Sequence, residues 1–249
     1  MSAAEEKWTE VEHLPKWDEE FYEVYTAKKH GKWVMLKRLR PSFNSDEEKV
    51  RMMESEFDTR YNLAHPNIVM VNDFEDVPGL GRCIITDDVY GTSLRQLIDD
   101  HAVTGEHLKK LATSLVSAMR YIQENHIVHH PLRPERIIFT ENIGNLKLID
   151  VGFEQRPALS PHDTAEDIYN YGVIMLEALG ASSEPNPVLR RVAERCTHPD
   201  VNRRYRSIEQ LQLALDSGGK TRLYTIIITI LSILLVVMAY LLTHPHFSN

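Results

Sequence analysis

The chain has 249 residues, of which 43% are hydrophobic and 26% are charged, and this balance excludes a disordered or fibrous protein. A net charge of −8 and an isoelectric point near 5.8 provide no basic surface of the kind that nucleic-acid-binding proteins use. The two cysteines, Cys83 and Cys196, lie far apart and have no metal-binding spacing, which favours a reducing compartment over a disulfide framework.

Residues 1–89 are predicted to form mainly strands. The segments EFYEVYTA (20–27) and KWVMLKRL (32–39) alternate or run apolar with aromatic and β-branched residues, and the KKHG between them supplies the glycine of a hairpin turn. Two further strands are predicted in NIVMVNDF (67–74) and GRCIITDDV (81–89), and the turn EDVPGLG connects them.

A helix is predicted between these two pairs of strands. Ser45 and Glu48 have the spacing of a capping box, in which each side chain satisfies a free amide at the start of a helix. The helix then runs through Val50, Met53 and Phe57 and ends at the HPN tripeptide.

After Gly91 the pattern becomes helical. The segment after Thr104 carries a one-faced apolar stripe that predicts a long helix: Leu108, Leu111, Ala112, Leu115, Met119 and Ile122. A second helix is predicted over residues 167–179, ending at Gly180 as a left-handed cap, and a last one from Ser207 to the SGG tripeptide. Strands followed by helices predict an α+β fold of two lobes, with a cleft between them as the first place to seek a site.

The segment Leu223 to Leu242 is predicted to be one transmembrane helix, because its twenty residues carry no charge and a helix of that length spans about 30 Å. Lys220 and Arg222 precede it and only histidines follow, so the bulk of the chain is expected in the cytoplasm. No signal peptide is expected at the N-terminus. This divides the chain into lobes of 1–89 and 90–217, a basic linker of 218–222, the span of 223–242 and a short non-cytoplasmic tail of 243–249.

Short motifs follow one another in a fixed order along residues 14–214. VMLK ends in Lys37, ESEFDTRYNLAHPNIV places Glu56 at a set distance before its HPN, and IITDDVYG (84–91) contains Thr86. HIVHHPLRPERIIF and LKLIDVGF follow, the second of them containing Asp150. In order and separation these motifs resemble those of a protein kinase of the bacterial serine/threonine type.

The resemblance implies a protein-kinase-like fold with a strand-rich N-lobe and a helical C-lobe, and it assigns roles to several residues. Lys37 would contact phosphate and Glu56 would be its partner. The backbone of Asp87 to Val89 would meet adenine, and Asp150 would bind magnesium.

The same alignment places unsuitable residues at the positions that perform the chemistry. Pro131 stands where the family has its catalytic aspartate, and a proline side chain cannot accept or orient a proton. Arg136 stands where an asparagine binds the second magnesium, and a guanidinium has only donors. We expect Arg136 to pair with Asp150 instead. We therefore expect no intact catalytic residue.

The nucleotide pocket is also altered. The glycine positions of the phosphate-covering loop hold Trp17, Glu19 and Tyr22, and Glu19 would face a phosphate with like charge. Met35 replaces the alanine that packs on adenine, and its longer side chain would fill part of the pocket. Only sixteen residues separate Asp150 from Asp167, which leaves little room for a segment that binds a peptide substrate.

These features predict a degenerate, membrane-anchored pseudokinase that acts as a scaffold or allosteric regulator of a membrane-associated signalling or assembly system. Its expected partners are the membrane and at least one protein, with no nucleic acid and no cofactor. Two alternatives stay open. In the first, the chain is an atypical kinase or other phosphoryl or nucleotidyl transferase that uses ATP and magnesium weakly. In the second, it binds nucleotide as a switch without turnover.

Overall fold

The strand-forming residues of the first part of the chain build one antiparallel sheet in the computed structural model, which describes residues 7–128, 131–141, 145–149 and 154–243. Its strands are β1 (Trp8–His13), β2 (Tyr22–Lys29), β3 (Lys32–Leu39), β4 (Val71–Val77) and β5 (Gly81–Asp87). Their spatial order is β1-β2-β3-β5-β4. A helical lobe follows, so the predicted α+β fold of a strand-rich and a helical lobe is confirmed.

The hairpin of β2 and β3 confirms the prediction made from KKHG. The two strands pair without interruption from Tyr22 opposite Leu39 to Lys29 opposite Lys32. His30 and Gly31 make the turn with positive φ angles of 50° and 81°, the backbone that two-residue hairpin loops require. The register places Lys37 on the strand that borders the cleft.

The sequence did not predict β1 and placed β4 too early. In β1 only Trp8 is buried, so this edge strand lacks the apolar alternation on which a prediction depends. The strand predicted at 67–74 begins instead at Val71 and continues to Val77. The reason is that Gly79 and Gly81, with φ angles of 80° and 78°, let the chain reverse within a shorter turn than EDVPGLG.

Helix α1 (Glu47–Tyr61) crosses behind the sheet. Its N-cap is Asp46 and not Ser45, which corrects the predicted capping box: the Asp46 carboxylate accepts from the amides of Glu48 and Lys49 at 2.9 and 3.2 Å. A charged acceptor at this end also interacts favourably with the helix dipole. Met53 of α1 packs on one face of the sheet.

The helical lobe has one core, to which every helix contributes. Its helices are α2 (Leu94–Asp99), α3 (Gly105–Lys110), α4 (Val116–Glu124), α5 (Pro161–Gly180), α6 (Pro187–Cys196) and the start of α7 (Ile208–Thr243). Short strands β6 (Gly91–Ser93), β7 (Ile127–Val128), β8 (Ile137–Thr140), β9 (Leu146–Leu148) and β10 (Glu154–Gln155) hold the loops on the cleft side. The sequence did not predict α2 or α6.

The long helix predicted after Thr104 is present but is not regular throughout. Helices α3 and α4 are joined by a π-helical turn at Leu111–Leu115, and the Thr104 hydroxyl caps the start by accepting from the His107 amide. The predicted apolar stripe faces the core: Leu108, Leu111, Leu115, Met119 and Ile122 are each at most 1% exposed.

Helix α5 corrects a second prediction. It begins at Pro161, six residues before the predicted start, because Ser160 and Asp163 form a reciprocal capping box. Gly180 is the last helical residue and is not a left-handed cap, and the next residue, Ala181, keeps right-handed backbone angles. The early start leaves only residues 151–160 between Asp150 and the helix.

Helix α7 begins as predicted, with the Ser207 hydroxyl accepting from the Gln210 amide at 3.3 Å, but it does not end at SGG. It continues as one helix of 36 residues to Thr243. The predicted span of 223–242 lies partly outside the residues whose side chains are described, which in this part are 228–238 and 240. Within what the structure describes, no helix is both long and apolar enough to cross a membrane.

Both cysteines are buried, unpaired thiols. Cys83 lies within the core of the sheet and Cys196 within the core of the helical lobe, and each is 0% exposed. Burial raises the pKa of each thiol to about 12, because a thiolate would lose its hydration. Both therefore stay protonated and act as packing residues.

Candidate functional site

The cleft contains a buried carboxylate between two cations. Lys37 on β3 donates to both oxygens of Glu56 on α1, at 2.9 and 3.0 Å, and Arg60 donates to the same carboxylate at 2.6 Å. Glu56 is only 3% exposed. The structure thus brings together Lys37 and Glu56, the pair that the motifs predicted. It adds Arg60, which lies one helical turn beyond Glu56 and so shares its face of α1.

A second carboxylate, that of Glu19, lies on the other side of Lys37. Its oxygens lie 3.2 Å from Lys37 Nζ and 3.0 Å from Arg136 Nη2. Glu19 belongs to the loop before β2, and Arg136 ends the 3-10 turn Pro134–Arg136 in the helical lobe. The carboxylate therefore bridges cations from both lobes, at the place where the family resemblance implies phosphate.

Arg136 was predicted to pair with Asp150. Asp150 lies outside the residues that the structure describes, and the described partner of Arg136 is Glu19. The substitution of the family's asparagine by Arg136 and the substitution of its glycine by Glu19 are therefore complementary, since each supplies the charge that the other needs.

The loop that carries Glu19 is held by its own polar groups. The Asp18 carboxylate accepts from the Val24 amide at 3.0 Å and lies 3.0 Å from His13 Nε2. The Arg40 guanidinium donates to the Glu19 carbonyl at 3.0 Å. In the family this segment is a glycine loop that approaches phosphate through its backbone. Here its side chains hold it over the cleft.

The adenine side of the cleft is nearly filled. The cavity that remains there has a volume of about 60 Å³ and is bordered by Trp17, Val24, Met35, Thr86 and Val89. Pockets that enclose a ligand of nucleotide size measure ~300–1,000 Å³, so this space is several times too small for one. Met35 lies in its wall, as expected from its replacement of the family's alanine.

The hinge residues Asp87 and Val89 flank this cavity, and polar groups of the chain already engage Asp87. The Asp87 amide donates to the Met70 carbonyl at 3.1 Å, and its carboxylate accepts from Lys32 and Asn72 at 3.0 Å each. These contacts hold the pKa of Asp87 below its ordinary value despite the opposing effect of burial. With about 60 Å³ left beside these residues, the adenine side of the cleft does not fit an adenine ring.

An open cavity of about 520 Å³ lies beyond Lys37 and is lined in part by Met52, Pro131, Arg133 and Arg136. Pro131 is exposed on its wall and offers no group that can move a proton. Arg136 brings a permanent positive charge to the place where the family binds a metal ion, and a guanidinium cannot ligate one.

Besides the contact of Glu19 with Lys37, two contacts of the site went unrecognised in the sequence. One is the Arg60 guanidinium on Glu56, which the i, i+4 spacing signals. The other is the Glu19–Arg136 pair, whose members are more than one hundred residues apart, so that no local pattern signals it.

Comparison with known proteins places this geometry in a family. Residues 20–162 match the family model described as "Protein kinase domain". Serine/threonine-protein kinase 36 of Pongo abelii is 26% identical over 181 residues, which is 63% of this chain and 14% of that protein. PrkC of Bacillus subtilis is 28% identical over 120 residues, 48% of this chain and 18% of that protein. The chain thus spans well under two thirds of the length of these relatives.

Solved structures agree in fold. The crystal structure of the Mycobacterium tuberculosis PknI kinase domain superposes with a TM-score of 0.63 over 85% of this chain and 96% of that chain, at 22% identity. A further PknI structure gives 0.64 at 20% identity, over 86% and 96% of the two chains. At such identity the likeness concerns the fold alone.

Proposed function

Because the chain belongs to the protein kinase domain family, we propose that it is a pseudokinase, which keeps the fold and binds partner proteins in place of turning over ATP. The observation that carries this proposal is the closure of the nucleotide cleft by Glu19, which bridges Lys37 and Arg136 at 3.2 and 3.0 Å. The adenine-side cavity of about 60 Å³ supports it independently.

The residues that remain give the cleft an architectural role. Lys37, Glu56 and Arg60 join β3 to α1, and Arg60 also donates to the Ile149 carbonyl of the helical lobe at 3.1 Å. The pair that positions ATP in active relatives here joins β3 to α1, and Arg60 links the same carboxylate to the helical lobe. The domain would act as a scaffold or allosteric regulator through its two-lobed surface.

We further propose that α7 anchors the domain in a membrane, with the kinase-like domain cytoplasmic. Large apolar side chains from Ile228 to Tyr240 are about half exposed or more on every side of this helix. Exposed apolar surface of that extent marks contact with lipid or protein. Lys220 and Arg222 precede it, as the positive-inside rule requires. Anchoring would raise the effective concentration of the domain for a membrane-associated signalling or assembly system.

One observation favours a second candidate, nucleotide binding as a switch or with weak phosphoryl transfer. The Lys37–Glu56 pair has the contact that the family uses to position phosphate, at 2.9 Å, and the relatives named above are called serine/threonine kinases. In this alternative Glu19 swings aside, and ATP with magnesium takes its place.

A thermal-shift titration separates these candidates. The full chain in a neutral detergent is titrated with ATP, alone and with magnesium or manganese. We expect no rise in Tm at millimolar nucleotide, because little space remains on the adenine side and the Glu19 carboxylate lies beside Lys37 where phosphate would bind. The Lys37→Ala variant, with exposed Lys32→Ala as matched control, shows whether any rise depends on the cleft. A metal-dependent rise that Lys37→Ala removes and Lys32→Ala keeps would overturn the proposal.

Restoring the base alone should not restore activity. Pro131→Asp returns a carboxylate whose contribution to rate is typically ~10²–10⁴. Arg136 and Glu19 would still occupy the metal and phosphate positions, so transfer of radiolabelled phosphate to protein or peptide is expected to stay at the level of an enzyme-free blank. Activity in Pro131→Asp that disappears in Pro131→Asn would show that the cleft admits ATP.

Membrane attachment is tested by extraction. We expect the full chain to stay in the membrane fraction through washes with high salt and with alkaline carbonate, and to be released by detergent. Truncation after Ser217 should move it to the soluble fraction. Release of the full chain by carbonate would contradict a spanning helix.

A further inference from the structure

A second concave surface, the hinge groove, lies at the mouth of the cleft, next to the nearly filled adenine-side cavity. It has a volume of about 530 Å³ and lies between β1, β3 and the residues after β5. The residues that give it its chemistry are Glu12, Trp17, Trp33, Asp88 and Tyr90. It shares Trp17, Met35 and Val89 with the wall of the adenine-side cavity, and its size is that of a ligand-binding pocket.

Aromatic rings dominate the groove and are unusually open. Tyr90 is 73% exposed and Trp33 is 39% exposed, while Trp17 is half-buried. Tryptophan and tyrosine are the residues most enriched in the energetic centres of protein interfaces, and their faces attract cations. Trp33 already attracts one: the Lys28 ammonium lies 4.7 Å from the centre of its ring.

The charge of the groove is negative and uncompensated. Its charged lining residues are Glu12 and Asp88, and neither carboxylate forms an ion pair with any part of the chain that the structure describes. Lys32 on the adjacent strand is engaged by Asp87 at 3.0 Å. Half-burial raises the pKa of Asp88, because no cation offsets the loss of hydration. A cationic group arriving in the groove would supply that compensation.

We propose that the hinge groove is the docking site for an extended segment of a partner protein that carries arginine or lysine between apolar residues. Its cationic groups lie against Trp17, Trp33 and Tyr90 and pair with Asp88 and Glu12. An anionic ligand such as a nucleotide is disfavoured, since both carboxylates would repel it. This inference rests on the proposed role of the domain in binding protein, and it states the chemistry of the bound segment.

Tryptophan fluorescence can report binding in the groove. The chain has three tryptophans, two of which line the groove, while Trp8 is buried in a separate core. The probe is the acetylated peptide amide Gly-Arg-Leu-Arg-Leu-Arg-Gly, and its matched control has glutamate in place of arginine. Tryptophan emission of the full chain in neutral detergent is measured during titration, and calorimetry repeats each titration. We expect saturable binding of the arginine peptide alone.

Variants locate the binding. Glu12→Gln with Asp88→Asn should weaken binding about tenfold, and Tyr90→Leu about threefold, as expected for exposed ion-pair and cation–π contacts. Asp76 carries an exposed charge near the end of β4 and does not line the groove. Asp76→Asn should therefore leave binding unchanged. Equal weakening by Asp76→Asn, equal affinity for the glutamate peptide, or no saturation in either measurement would overturn the inference.

The two proposals fail separately. Absence of peptide binding in a protein that also ignores ATP overturns the groove alone. A metal-dependent response to ATP with peptide binding intact overturns the closed cleft alone.

Discussion

Replacement of Glu56 by alanine is expected to lower the free energy of unfolding by about 3–5 kcal/mol, the usual loss when one member of a buried ion pair is removed. The 3% exposed carboxylate contacts Lys37 at 2.9 Å and Arg60 at 2.6 Å, and Arg60 is itself 4% exposed. Without Glu56 the guanidinium would stay buried with its charge no longer offset. Urea denaturation of the full chain in detergent measures the loss.

The matched control lies two positions away on the more exposed side of α1. Glu54 pairs with Arg82 at 3.1 Å, but its side chain is 43% exposed, so Glu54→Ala should cost less than about 1 kcal/mol. Equal losses for Glu54→Ala and Glu56→Ala would mean that the buried pair contributes nothing beyond a surface contact.

Asp167→Asn is expected to stabilise the protein above neutral pH and to leave it unchanged in acid. Asp167 on α5 is 8% exposed, and burial raises the pKa of its carboxyl from 3.8 to about 7. The Gln123 side-chain amide donates to this carboxyl at 2.8 Å and lowers the pKa, but by less than burial raises it. The negative charges of Glu166 and Asp163 raise that pKa further. Asparagine keeps an acceptor for Gln123 without the charge.

The sign of the pH dependence follows from this raised pKa. Well below pH 3.8 the carboxyl is protonated in both the folded and the unfolded state, so it costs nothing. Between pH 4 and 7 only the unfolded state ionises freely, and stability falls as pH rises. The rise from 3.8 to about 7 corresponds to at most about 4 kcal/mol above pH 7. Denaturation midpoints from pH 4 to 8 measure it. Asp58→Asn, at an exposed position of α1, should keep the wild-type slope, and the same slope in Asp167→Asn would contradict the prediction.

The parts of the fold that the sequence predicted are those with strong local chemistry. The hairpin of β2 and β3 was predicted because Gly31 marks the turn and the flanking strands are rich in β-branched and aromatic residues. Strand β1 was missed because a single buried tryptophan gives no alternation. The start of α5 was misplaced because the Ser160–Asp163 box lies before its apolar stripe.

In the site, too, the sequence predicted only the contacts that local motifs carry. Lys37 and Glu56 were paired in advance because each sits in a motif whose spacing is characteristic of the family. The partner of Arg136 could not be predicted, since it depends on the path of the loop before β2. That path is fixed by Asp18 with Val24 and by Arg40 with the Glu19 carbonyl, contacts that exist only once the sheet has formed.

The bridge that Glu19 makes between Lys37 and Arg136 also bears on how strongly a partner can be held. When a protein binds both lobes of a kinase whose lobes open and close, the lobes lose freedom of movement. That loss of conformational entropy makes the free energy of binding less favourable. Here the lobes are already joined by Glu19 with Arg136 and by Arg60 with the Ile149 carbonyl. The two lobes are therefore ordered relative to each other during folding. When a partner binds across both lobes, the domain loses little further conformational entropy.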